Sequence, residues 1–140
     1  MADITGVSWK QIREFVDELF GDEQFLGHLQ KYERDFHLLK MASTKLFAKK
    51  VLVQYAVLRA LAPNLMVETG IANGVSSFYV LGALRRNGKG CLYSIEVNNP
   101  SYLPPGREPG WLVARDLRDR WRVIIGSSES VLPNLLRELK

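Results

Sequence analysis

Two acidic residues at the ends of largely apolar runs are the residues best placed to do chemistry in this chain. They are Glu68 and Glu96, and a Gly-x-x-x-Gly turn formed by Gly70 and Gly74 lies between them. The turn leads directly into a helical pattern. This order of carboxylate, glycine turn and second carboxylate is typical of a nucleotide-type cofactor site at the carboxyl edge of a parallel sheet.

The two glycines suit a turn that a ligand approaches closely. Gly70 supplies a sharp bend without a Cβ, and Gly74 lets the next helix begin tightly against the turn. That helix would present free N–H groups and a positive dipole end to a ligand, and Ser76 and Ser77 add hydroxyl donors in its first turn. A tight strand-to-helix turn that binds nothing would also need both glycines.

The charges beside the turn indicate which ligand it suits. Ala72 stands where the dinucleotide pattern Gly-x-Gly-x-x-Gly has its second glycine. Glu68 would repel a phosphate and attract an ammonium. An acid at the position of Glu96 accepts hydrogen bonds from ribose hydroxyls in doubly wound sheets. An ammonium combined with a ribose indicates S-adenosylmethionine and disfavours a nicotinamide-dependent oxidoreductase. If both carboxylates merely face water, neither inference holds.

Here residues 62–139 resemble the first half of a class I S-adenosylmethionine-dependent methyltransferase. Residues 67–70 with Gly74 match its first motif, and residues 93–96 match its second, acidic motif. Details such as the serine pair that includes Ser76, and residues 110–113, are most similar to a small bacterial methyltransferase-domain group related to cephalosporin hydroxylase-type proteins.

The resemblance implies a role for each matching residue. Glu68 would reach the methionine ammonium through water, and Glu96 would hold the ribose. Val97 would lie against the adenine, while Ser127 stands where similar proteins carry an Asp that accepts from the adenine amino group. The candidate cofactor-binding residues are Glu68, Thr69, Gly70, Gly74, Ser76, Glu96, Val97 and Ser127. No catalytic residue and no metal ligand is predicted.

The resemblance covers only the N-terminal portion of such an enzyme. In the family, further strands complete the sheet and carry residues near the methyl acceptor, whereas this sequence stops at Lys140. We therefore expect a methyltransferase for a small-molecule oxygen that lacks its acceptor-binding half. The first strand would be an unpaired edge, which a homodimer or a partner chain would complete. The alternative is a non-catalytic half-domain that binds the cofactor or scaffolds a partner.

The composition predicts a globular domain. The chain has 140 residues, of which 46% are hydrophobic and 24% charged. Its net charge is +4, but basic and acidic residues alternate, as in residues 115–120, so a nucleic-acid partner is not indicated. The single cysteine, Cys91, excludes an intramolecular disulfide. Without a signal-peptide pattern or an apolar run of about 20 residues, we expect a cytoplasmic protein without membrane association.

Alternating helices and strands must position these residues. A capping box at Ser8 begins the first of three helical patterns, over residues 9–20, 23–41 and 44–61. Strands are predicted over 65–69, 91–96 and 122–125, and helices over 75–87, 111–121 and 129–139, with Pro133 in the first turn of the last helix. The prediction is an α/β fold with two parts. Residues 1–62 form an N-terminal helical segment that packs on the sheet. Residues 63–140 form a partial Rossmann-like, doubly wound parallel sheet with strand order 3-2-1.

Overall fold

A computed structural model of the chain describes residues 6–32, 44–97, 99, 101 and 103–139, with only the backbone of residues 44–49. Its helices are α1 (Trp9–Phe20), α2 (Glu23–Gln30), α3 (Thr44–Leu61), α4 (Val75–Arg86) and α5 (Ser128–Glu138). Its strands are β1 (Leu65–Thr69), β2 (Cys91–Glu96) and β3 (Trp121–Ile125), and a 3₁₀ helix, Arg115–Arg120, precedes β3.

The first helix begins where the sequence predicts. Ser8 Oγ accepts from the Gln11 N–H at 3.2 Å, while the Gln11 side chain accepts from the Ser8 N–H at 2.9 Å, which completes the capping box. The second helix is shorter than predicted, because α2 ends at Gln30 and a turn follows at residues 31–32. The remainder of the predicted helix, residues 33–41, lies outside the described residues.

The three strands form one parallel sheet, as predicted. Leu65 pairs with Cys91 across β1 and β2, and Leu92 pairs with Trp121 across β2 and β3. We expected the strand order 3-2-1, and the structure has 1-2-3, in which the same strands are neighbours. The order is counted from the opposite edge, so β2 is central in both. Because all three strands are parallel, their carboxyl ends lie together at one end of the sheet.

One hydrophobic core joins the helical segment to the sheet. Helix α4 packs on β2, α3 packs on α4, and α1 packs on α3. Gly82 of α4 makes room for Phe25 of α2, since a Cβ there would lie 2.5 Å from the Phe25 ring. That ring stacks on Phe78 with centroids 4.1 Å apart. Among the described residues, no helix combines the length and hydropathy that a membrane span requires.

The connection between β2 and β3 differs from the prediction. The predicted helix over 111–121 is wrong: residues 111–112 form a turn, and Ala114 is extended with φ −60° and ψ 145°. The 3₁₀ helix begins only at Arg115. The physical reason is a long-range contact, because the Gly110 N–H donates to the Ala72 carbonyl at 2.8 Å, which draws this segment away from a helical path.

Helix α5 also starts earlier than predicted. Ser127 caps it and Ser128 is its first residue, so Pro133 lies inside the helix and not in its first turn. A proline at this position removes one backbone hydrogen bond from the helix.

Candidate functional site

The carboxyl ends of β1 and β2 bring most of the predicted site residues together. Glu68 lies beside Ser94 in the sheet and Thr69 beside Ile95. The Gly70 N–H continues this pairing by donating to the Ile95 carbonyl at 2.8 Å. Glu96 therefore ends β2 next to the start of residues 70–74, which we call the glycine turn.

Glu68 is held by hydroxyl groups from two elements. Its Oε1 accepts from Ser77 Oγ of α4 at 2.5 Å and from Ser94 Oγ of β2 at 2.6 Å. Ser94 Oγ in turn accepts from the Trp121 indole N–H at 2.7 Å. Among the described residues, Glu68 Oε2 has no hydrogen-bond partner and no unpartnered side-chain oxygen is fully buried, so Oε2 keeps some access to solvent.

Burial raises the pKa of Glu68, and the negative charge of Glu96 raises it further, although the hydrogen bonds from Ser77 and Ser94 act in the opposite direction. Burial disfavours the ionised carboxylate because that form loses its hydration. A cation placed at Oε2 would stabilise the ionised carboxylate and lower the pKa of Glu68. Glu68 is therefore a carboxylate whose surroundings favour a positively charged ligand.

Glu96 faces the glycine turn. Its Oε2 accepts from the Ile71 N–H at 2.6 Å and from the Ala72 N–H at 2.9 Å, and the residue is only 7% exposed. Both hydrogen bonds are charge-assisted when the Glu96 carboxylate is ionised, because the acceptor oxygen then carries negative charge. The predicted contact with ribose hydroxyls stays a prediction, and it would have to be made by a carboxylate that already binds the protein's own main chain.

Ala72 has a backbone conformation that favours glycine. Its φ is +45°, while Gly70 and Gly74 have φ of +82° and +85°. A side chain at positive φ crowds the backbone, so such residues need support from their surroundings. Glu96 holds the Ala72 N–H, and the Gly110 N–H holds the Ala72 carbonyl at 2.8 Å. The middle of the glycine turn is thus fixed from both sides.

The two glycines of the turn meet different surroundings. A Cβ on Gly70 would meet no atom of the described residues within 4 Å, and Gly70 is exposed together with Thr69 and Ala72. A Cβ on Gly74 would lie 2.7 Å from the Cα of Gly110. Gly70 therefore leaves open space beside the turn, whereas the space beside Gly74 is filled by the protein itself.

The remaining predicted residues lie around this edge. Ser76 Oγ donates to Gln54 Oε1 of α3 at 3.1 Å. Val97 follows β2 and is 57% exposed. Ser127 is the N-cap of α5, with its Oγ accepting from the Ser130 N–H at 3.3 Å. Its hydroxyl thus has a structural partner in addition to the adenine contact that we predicted.

Several residues that shape the site were missed by sequence reasoning. Ser94 is a polar residue inside a buried strand, two positions before Glu96, and this could have marked it as facing the same side. Asn73 accepts from the Trp111 indole N–H at 2.7 Å, and Gln54 comes from the helical segment. These two contacts join residues 38 and 22 positions apart, for which local patterns give no signal.

Two further observations concern metal binding and a cavity. In the part of the chain that the structure describes, no group of three His, Cys, Asp or Glu side chains is placed to hold a metal ion. Beside β3 there is a cavity of about 520 Å³ that none of the eight predicted site residues lines; it is lined by Glu108, Pro109, Arg118, Trp121, Val123 and Ile125.

Comparison with known proteins identifies one family. The sequence model of the family described as "Methyltransferase domain" matches residues 67–139, which is more than half of the 140-residue chain. The match begins inside β1 and includes the glycine turn, β2, β3 and α5. No curated protein matches the chain.

Proposed function

Because this chain belongs to the methyltransferase-domain family, we propose that its glycine turn binds S-adenosylmethionine and that the protein takes part in methyl transfer. The observation that carries the proposal is that Glu68, two residues before the uncrowded Gly70, keeps its Oε2 without a protein hydrogen-bond partner. A carboxylate fixed by two hydroxyls, with one oxygen open to solvent, is suited to a ligand that carries an ammonium.

The chemistry of the residues fits this cofactor. Glu68 would bind the methionine ammonium, and Thr69 and Gly70 would border the methionine part. Ser76 lies in the first turn of α4, whose N-cap, Gly74, provides no side-chain acceptor. The positive end of the α4 dipole favours the methionine carboxylate there. When bound, S-adenosylmethionine supplies a methyl group activated by a sulfonium sulfur.

The adenosine end of the cofactor would lie along the carboxyl ends of β2 and β3. Glu96 would accept from ribose hydroxyls, and the exposed side chain of Val97 would lie against the adenine ring. Ser127 Oγ accepts from the Ser130 N–H and can donate its own hydrogen to Ser130 Oγ at 3.0 Å, which leaves one lone pair that would accept from the adenine amino group. These assignments extend the proposal to each predicted residue.

A dinucleotide fits these residues less well. A pyrophosphate at the glycine turn would meet the carboxylates of Glu68 and Glu96, and a buried carboxylate with a raised pKa resists a further negative charge nearby. This disfavours a nicotinamide-dependent oxidoreductase.

The residues of this chain would act by positioning. Ser77 and Ser94 fix the direction of the Glu68 carboxylate, so the methionine end is held in one orientation. Methyl transfer needs sulfur, methyl carbon and acceptor in line, and fixed orientation supplies much of the rate. We extend the proposal to a small-molecule oxygen as the acceptor, on the resemblance stated above, without assigning a residue that removes the acceptor's proton.

A second candidate is a domain that binds the cofactor without transferring its methyl group. The observation that favours it is the edge of β1, which pairs only with β2 among the described strands. A partner chain or a second copy of this chain could pair with that edge. Transfer of a labelled methyl group from S-adenosylmethionine to any component of a small-molecule extract would contradict this candidate.

Calorimetric titration with S-adenosylhomocysteine tests the cofactor site. We expect binding to the wild-type chain and affinity about tenfold weaker for Glu68→Gln, because a charge-assisted contact with the ammonium is lost. Glu129→Gln, a matched change at an exposed residue of α5, should bind like the wild type. Absence of binding to the wild type would contradict the proposed function.

A further inference from the structure

We propose that Glu96 is a positioning residue, which orders the main chain of the glycine turn and thereby acts on the methionine end of the cofactor, in addition to any contact with the ribose. This inference rests on the proposed function. The inference differs from the proposed function in where Glu96 acts, because the effect passes through the protein backbone and does not require the ribose hydroxyls.

The first support is the direction of the Glu96 carboxylate. Oε2 receives the N–H groups of Ile71 and Ala72 at 2.6 and 2.9 Å, and the residue is 7% exposed. Glu96 ends β2, whereas Ile71 and Ala72 follow β1, so these hydrogen bonds join the end of β2 to the connection that leaves β1. Charge-assisted bonds of this kind are stronger than bonds between neutral groups.

The second support is the conformation that these bonds hold. Ala72 has φ +45°, and a residue with a Cβ keeps such a conformation only where its surroundings enforce it. Its carbonyl is held by the Gly110 N–H, and its N–H is held by Glu96. Without Glu96, one of the two supports is lost and two N–H groups lose their acceptor.

The third support is the location of the turn's open surface. Gly70 and Ala72 are exposed, while Ile71 and Glu96 are buried beneath them. A ligand at Gly70 therefore meets main chain whose shape depends on Glu96. The carboxylate is thus placed to affect binding at Gly70 without touching the ligand there.

Amide hydrogen exchange measured by NMR on the ligand-free chain tests the ordering directly. We expect the Ile71 and Ala72 amides to exchange about tenfold faster or more in Glu96→Ala, because both lose a charged acceptor. In Glu96→Gln, which keeps an acceptor oxygen without the charge and covers the case that Glu96→Ala does not fold, the increase should be smaller. Glu129→Gln is the matched control, and the Leu92 amide in β2 reports global unfolding.

A pair of ligands tests the effect on binding. S-adenosylhomocysteine carries both ribose hydroxyls, and its 2′,3′-dideoxy analogue carries neither. If Glu96 acts through the glycine turn, Glu96→Gln weakens the binding of both compounds, and a ribose contact adds a further loss for S-adenosylhomocysteine alone. If the variant weakens only S-adenosylhomocysteine, Glu96 acts through the ribose alone and the inference is overturned.

The outcomes separate the inference from the proposed function. Failure of the wild type to bind either compound overturns the proposed function, and the inference about binding falls with it. Binding by the wild type together with unchanged exchange of Ile71 and Ala72 in both Glu96 variants overturns the inference alone.

Discussion

Glu68 and Glu96 end neighbouring strands but have different partners. Glu68 accepts from two hydroxyls and keeps one oxygen open to solvent, whereas Glu96 accepts from two backbone N–H groups and is buried. Glu68 thus has one oxygen without a protein partner, while Glu96 uses Oε2 to hold the main chain of the glycine turn. At the residue scale, we therefore expect substitution of Glu68 to act on ligand binding directly and substitution of Glu96 to act through the main chain of the glycine turn.

The raised pKa of Glu68 predicts pH-dependent binding. An ammonium favours the ionised carboxylate, so binding lowers the pKa of Glu68 and releases protons. Affinity for S-adenosylhomocysteine should rise, by up to about tenfold, as the pH increases through the raised pKa of Glu68 in the ligand-free protein. Calorimetry in two buffers with different ionisation enthalpies measures the proton release. Glu68→Gln should show neither effect, and an equal slope in that variant would contradict the assignment of Glu68.

The positive φ of Ala72 predicts that Ala72→Gly stabilises the chain. Glycine relieves the left-handed strain, and after its larger loss of backbone entropy the net gain in unfolding free energy is about 0.5–1 kcal/mol. Ala62 has φ +44° after α3, away from the site, so Ala62→Gly is a matched comparison with the same direction. Thermal denaturation measures both, and a lower Tm for both variants would contradict the strain.

At the element scale, Gly70 and Gly74 provide a comparison within one turn. Both have positive φ, so alanine at either position costs about 1–2 kcal/mol in unfolding free energy. Gly74→Ala adds a clash with the Cα of Gly110 at 2.7 Å, which raises its cost by about 1–3 kcal/mol.

Urea denaturation should therefore find Gly74→Ala the less stable of the two. The affinity for S-adenosylhomocysteine should instead fall more in Gly70→Ala than in Gly74→Ala, because the added methyl of Gly70→Ala enters the open space beside the turn. If Gly70→Ala leaves the affinity for S-adenosylhomocysteine unchanged, that space is not where the ligand lies.

The sequence predicts the elements well where their signals are local. The three strands and α4 were predicted within one residue at each end, because short apolar runs bounded by glycine and proline mark them. The helix predicted over 111–121 failed because Val113, Leu117 and Trp121 recur at helical spacing while Gly110 is bound to Ala72. A contact over 38 residues overrides local periodicity there.

The same difference separates the site residues. The positions of Glu68, Gly70 and Glu96 follow from strand ends and turn composition, which the sequence contains. The partners of Glu96 and Ser76 could not be predicted, because they depend on how crossover connections and α3 meet in space. Thus the sheet edge was predictable, whereas the hydrogen bonds across it were not.

At the scale of the whole molecule, one network joins the helical segment to the rest of the fold. Arg59 of α3 donates to both carboxylate oxygens of Glu18 in α1, at 3.0 and 2.9 Å, and also to Asn87 at the end of α4. Tyr55 OH donates to Glu18 at 2.7 Å. Three helices therefore depend on one partly buried carboxylate.

Burial acts to raise the pKa of Glu18, but hydrogen bonds from Arg59 and Tyr55 and the charge of Arg59 outweigh it, so the pKa is lowered. A lowered pKa contributes stability above the ordinary range of Glu, and this stability is lost as the pH falls through the pKa of the folded state. Glu18→Gln should reduce the unfolding free energy by about 1–2 kcal/mol at pH 7.

Urea denaturation as a function of pH tests this, because the difference between wild type and Glu18→Gln should shrink as acid protonates Glu18. Glu14→Gln is the control, since Glu14 is exposed and its pair with Lys10 is 3.9 Å long. Glu68 acts in the opposite direction: its raised pKa favours stability at low pH and reduces it as the pH rises through the folded-state value. If the difference in unfolding free energy between the wild type and Glu18→Gln grows on acidification, the role of Glu18 is contradicted.

The hydrogen bonds from Trp121 through Ser94 to Glu68 give the protein an intrinsic optical probe. Indole fluorescence responds to the hydrogen bond and the electric field at the ring N–H. Ionisation of Glu68, or the arrival of a cation beside it, changes both at a distance of two hydrogen bonds. The emission of Trp121, which is 7% exposed and is one of three tryptophans, should therefore respond to the state of the carboxylate without any added label.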